Sequence, residues 1–179
     1  MKQNLLVVSY DYNLSRQIAT KLADVFSMRF FDQKELFEFD HIPRSFSEIY
    51  ALNGIEYVKK KMKSIVKMEL EFDNASFAAD MSFADNCFDM FYKIKLSNFV
   101  VFLRKDIKTE MDELTKKQYA SQEEYEYFCP NENLLKKREL AISFDCCDIE
   151  VNISNLSEDE IVKEIEKGIR NFYQMNWYF

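Results

Sequence analysis

The chain has 179 residues, 47% hydrophobic and 16% aromatic, with a formal net charge of −7. This is one domain's length with enough apolar mass for a sizeable core, which excludes a disordered chain, and the negative charge opposes nucleic acid and anionic membrane surfaces as partners. Apolar runs such as Leu5-Leu6-Val7-Val8 fall far short of the roughly 20 residues a membrane span needs, and no leader pattern opens the chain, so the cytoplasm is expected.

Two further exclusions come from residue types. Cys87, Cys129, Cys146 and Cys147 lack C-x-x-C spacing and are expected to be reduced thiols, with Cys146-Cys147 packing as small apolar groups. With His41 as the only histidine, a zinc site has too few ligands. The glycines are Gly54 and Gly168 alone, whereas a loop that cradles phosphates needs several.

Taken in order, Leu5–Ser9 reads as a buried strand. A helix follows, with Asn13 as its expected N-cap and Leu14, Ile18, Leu22, Val25 and Phe26 at helical spacing. Met28–Asp32 is a second strand, and the strand–helix–strand order predicts parallel pairing. Ser45-Phe46-Ser47-Glu48 is a capping box that opens one helix, and a second is expected from about Gly54 to Phe72. Strands are expected at Ala75–Ala79, Phe99–Leu103 and Asp148–Ile153, with residues 106–145 mostly helical. Ser157-Glu158-Asp159-Glu160 caps a last helix carrying Ile161, Val162, Ile165 and Ile169. Together these elements predict one α/β domain over residues 1–179, a three-layer α/β/α sandwich around a five-stranded parallel sheet.

Ser27–Lys34 ends the second strand with Asp32. Ser45-Phe46-Ser47-Glu48-Ile49-Tyr50 is followed by Gly54, and Asp148-Ile149-Glu150-Val151 precedes the final helix. On these residues the chain resembles the shikimate kinase family of P-loop proteins over nearly its whole length. The resemblance implies the fold above, with a lid-equivalent region at about 106–135. In that family the first strand enters a loop of pattern G-x-x-G-x-G-K-[ST]. Here it falls on Ser9 to Gln17, without glycine, with Ser15 at the lysine and Arg16 at the magnesium-binding hydroxyl. Asp32 matches an aspartate near magnesium, and Lys34 replaces one that bonds substrate hydroxyls. Lys59 and, within a residue, Arg138 match arginines that grip the substrate carboxylate. Asp80-Met81-Ser82 replaces a substrate-binding glycine run. Lys116 and Lys117 fall in the region of the lid arginine, without its motif.

The segment from Ser9 through Asn13, Ser15 and Arg16 therefore reads first as an ordinary strand-to-helix turn, and Asp32 as a cap rather than a metal ligand. Lys34, Lys59 and Arg138 remain candidates for an anion site in the old acceptor cleft. Most of the lysines around 59–67 belong on a solvated helix face. His41 reads as a surface or capping residue. The aromatic end, Phe172, Tyr173, Trp177, Tyr178 and Phe179, either folds back or offers a patch to a partner or a second copy.

The functional expectation is a catalytically silent member, acting as a binding, regulatory or scaffolding domain with no cofactor. The alternative is an active kinase using ATP and magnesium on a carboxylated hydroxy metabolite. In that case Asp32 would assist the metal and Arg16 would replace the loop lysine.

Overall fold

The computed structural model describes residue 2 and residues 4–119, 121–129 and 131–175. Five strands form one sheet: β1 (Asn4–Ser9), β2 (Arg29–Asp32), β3 (Ala75–Asp80), β4 (Asn98–Arg104) and β5 (Ile149–Asn152). Their order is β2-β3-β1-β4-β5, and every pairing is parallel. β1 is buried along its whole length, which is why it reads as a continuous apolar run rather than an alternating one.

Both sheet faces are covered, as expected. On one face α1 (Tyr12–Phe26) and α9 (Glu158–Met175) bury Ile18, Leu22, Ile161 and Ile165 against Leu5, Val7 and Val101. The other face carries α4 (Phe83–Cys87), α5 (Phe91–Ser97), α6 (Ile107–Lys116) and α8 (Glu132–Ala141). There Phe83, Phe91, Leu114 and Leu135 meet Val8, Phe77 and Phe102. The chain therefore leaves β1 toward one face but leaves β3 and β4 toward the other. Crevices for ligands open beside the carboxyl end of such a strand.

α2 (Gln33–Phe39), α3 (Phe46–Glu69) and α7 (Gln122–Phe128) overhang that end, with their own core of Phe37, Phe46, Ile49, Val58 and Tyr127. α3 opens with the expected capping box, Ser45 and Glu48 each satisfying the other's amide. Gly54 breaks it into two arms at φ 75°, ψ 173°, which accounts for the two helices expected there.

Some local expectations need correction. The N-cap of α1 is Asp11, whose carboxylate accepts from the Asn13 N–H at 2.9 Å; Asn13 itself lies inside the first turn. Val25 sits at helical spacing yet is 45% exposed, at the rim of the stripe. α2 is an additional helix, too short for a periodicity to show. Asp148 lies just before β5, where its side chain accepts from the Val100 N–H at 2.8 Å.

The described part of the aromatic end folds back. Phe172 meets Phe99 edge-on at 5.0 Å, and the Tyr173 hydroxyl donates to the Lys2 carbonyl at 3.0 Å. Trp177, Tyr178 and Phe179 lie outside the described residues. Among the described residues no helix is long and apolar enough to cross a membrane.

Candidate functional site

The turn after β1 is held by its own side chains. The Ser9 hydroxyl donates to the Asp11 carbonyl. The buried Ser15 hydroxyl donates to the Tyr12 carbonyl at 2.9 Å. Asp11 caps α1 and also pairs with Lys117, at the C-terminal end of α6, at 2.6 Å. Glu110 on α6 is buried close enough to Asp11 to feel its charge; burial pushes its carboxyl up, and Lys105 at 3.2 Å pulls it back. Two acids thus flank the end of β1, and the cations nearby already have partners.

Arg16 points sideways, toward β2. Its Nε lies 2.6 Å from Asp32 Oδ2 and its Nη2 2.6 Å from Glu35 Oε1. Asp32 is 5% exposed and also accepts from the Tyr12 hydroxyl and from the Lys34 and Glu35 amides at 2.9 and 3.1 Å. It is the N-cap of α2. Burial beside Asp32 drives the Tyr12 phenol far above its ordinary range. Among the described residues no group of three or more His, Cys, Asp or Glu side chains gathers as for a metal ion.

Lys34 and Arg138 stand near Asp80, at the carboxyl end of β3, without lining the crevice beside it. Both lower the pKa of Asp80, which burial raises. Arg138 is 7% exposed and holds Asp85 Oδ2 through Nε at 2.8 Å and Nη2 at 2.6 Å. Lys34 Nζ stands 5.9 Å from the centre of the Phe46 ring. Lys59 pairs with Glu56, its helix neighbour, at 3.1 Å and takes no part in lining the crevice. His41 bonds the Phe37 carbonyl at 2.8 Å and the Tyr57 hydroxyl at 2.6 Å, a structural position.

The structure adds residues that sequence reading did not single out. Tyr12 links the first turn to Asp32, and Asp85 neutralises Arg138. Tyr127 on α7 is 6% exposed, and its hydroxyl accepts from Ser82 Oγ at 3.0 Å and Asn86 Nδ2 at 3.1 Å. The one sequence signal for it is an aromatic cluster, Tyr125, Tyr127 and Phe128, inside a polar stretch. A separate open groove of about 980 Å³ runs past the carboxyl ends of β4 and β5, lined by Arg104, Lys105, Lys136, Glu139 and Phe144 among others. In it Arg104 bridges Glu139 at 2.5 Å and Glu150 at 3.4 Å.

No family model matches the chain, and no curated protein matches it. Solved structures do. Shikimate kinase from Aquifex aeolicus superposes with a TM-score of 0.74 at 16% identity, over 95% of this chain and 98% of that one. Shikimate kinase from Acinetobacter baumannii, solved in complex with shikimate, gives 0.73 at 12% identity, over 96% and 94%. A gluconokinase from Sinorhizobium meliloti 1021 gives 0.58 at 9% identity, over 98% and 97%. At these identities the likeness speaks for architecture, and the architecture is that of shikimate kinase and related P-loop kinases.

Proposed function

We propose that this chain is a pseudokinase: a shikimate-kinase-like fold that binds, regulates or scaffolds without transferring phosphate. The observation that carries this reading is the self-occupied turn between β1 and α1. A triphosphate tail is held by backbone amides that approach closely from a glycine-rich loop. Here Asp11 caps α1, Ser15 bonds within the turn, and Arg16 is committed to Asp32 and Glu35. Asp11 and Glu110 add negative charge where phosphates would need donors. These residues do not fit ATP with magnesium.

The groove of about 980 Å³ at the ends of β4 and β5 supports a binding role, being at the upper end of ordinary ligand-site volumes. The other reading, an active kinase of a carboxylated hydroxy metabolite, draws on the fold alone.

Titration with ATP and magnesium tests the proposal. A ligand at a hundred times its Kd raises stability by about 2.7 kcal/mol. The expected result at millimolar ATP is no saturable rise in the thermal midpoint. Saturable stabilisation with magnesium dependence would sink the reading.

A further inference from the structure

Crevices at the carboxyl ends of parallel strands ordinarily receive ligands from outside. In this chain the crevice beside β1 and β3 receives Tyr127. Its ring lies 5.2 Å from that of Phe46 and 6.2 Å from that of Tyr50. Its hydroxyl takes hydrogen bonds from Ser82 and Asn86. Ser82 and Asn86 also line an adjoining cavity of about 10 Å³, the room of a single water.

The ring packs in the core shared by α2, α3 and α7, whereas its hydroxyl end meets polar groups. Asp80 lines the cavity, and Arg138 stands close enough to lower the phenol's pKa against the effect of burial. Asn86 is 7% exposed, and its Oδ1 has no hydrogen-bond partner. Buried polar groups persist where they find hydrogen-bond partners, and Ser82 and Asn86 supply them to the Tyr127 hydroxyl as a polar socket. The helix that brings Tyr127 spans seven residues, Gln122–Phe128, too few to persist without its anchors.

We infer that Tyr127 is an internal ligand. α7 is a strap that holds the phenol in the crevice, and the vacated crevice accepts a phenol-sized ring bearing a hydroxyl group. The inference stands apart from the reading of the β1–α1 turn, because it concerns a different opening and no phosphate.

Phenol itself is the probe, with the full chain as wild type, Tyr127→Ala and Tyr127→Phe. By calorimetry Tyr127→Ala should bind phenol saturably, and the wild type should not. By hydrogen exchange, amides of residues 122–128 should exchange about tenfold faster in Tyr127→Ala, with β1, β3 and α9 unchanged. If the strands lose protection together with α7, or if phenol fails to bind Tyr127→Ala, the inference falls. Should Tyr127→Ala not fold, Tyr127→Phe decides: it keeps the ring and loses the two hydroxyl bonds. Faster exchange confined to α7 supports the strap, and wild-type protection there overturns it.

Discussion

Arg16 Nε sits 2.6 Å from Asp32 Oδ2, tying the first turn of α1 to the end of β2. The pair is lopsided: the Arg16 side chain is 47% exposed and that of Asp32 3%. Asp32 also caps α2 and accepts from Tyr12, so it serves more structure than the arginine does. Asp32→Ala is expected to lower unfolding stability by about 2–4 kcal/mol, and Arg16→Ala by only about 1 kcal/mol because solvent screens its charge. Urea unfolding of both variants checks this. Equal losses would mean that the ion pair, not the cap, organises the junction.

Asp11 separates into two roles by substitution. Asp11→Asn keeps a capping side chain and removes the ion pair with Lys117, so it should cost less than about 0.5 kcal/mol. Asp11→Ala removes both and should cost about 1 kcal/mol. Thermal melts of the two variants, compared with Lys117→Ala, give the partition.

Glu69 makes stability depend on pH. It is 3% exposed, and burial pushes its carboxyl from 4.5 up to about 8, the Gln33 amide bond at 2.8 Å pulling the other way. The folded chain therefore keeps a proton that the unfolded chain releases between those values. Stability from this group falls as pH rises through that window, with a slope approaching about 1.4 kcal/mol per pH unit, and levels off above it. Glu69→Gln should remove that slope. Unfolding free energies at intervals from about pH 5 to pH 9 measure it; identical slopes in both proteins would refute the assignment.

Gly54 adopts φ 75°, ψ 173°, a region essentially reserved for glycine. A Cβ there would meet nothing within 4 Å, so the cost of Gly54→Ala is backbone strain alone, about 1–3 kcal/mol. A neutral substitution, measured by urea unfolding, would show that the kink in α3 straightens freely.

The sheet was readable because β1, β3 and β4 are buried on both faces and so carry uninterrupted apolar runs, a pattern that needs no tertiary knowledge. The Ser45–Glu48 box and Gly54 were readable because their constraints are local. The α1 cap was not. Asp11 and Asn13 are both good caps, and helix entry at Tyr12 coincides with the reach of its hydroxyl to Asp32, twenty residues on. Side-chain partners were hidden for a related reason. Lys34, Lys59 and Arg138 look alike in sequence, yet Lys59 turns to Glu56, while Arg138 finds Asp85 on a separate helix. Side-chain direction and long-range partners decide such cases, and neither is written in spacing.

Phenol and crevice in one polypeptide cannot be diluted apart. A tethered group acts at an effective concentration of about a millimolar or more, whatever the amount of protein present. A visiting molecule at micromolar concentration thus starts roughly a thousandfold behind Tyr127, a handicap of about 4 kcal/mol. The opening beside β1 and β3 should consequently ignore weak aromatic metabolites and respond only to a competitor that is abundant or makes contacts beyond the ring.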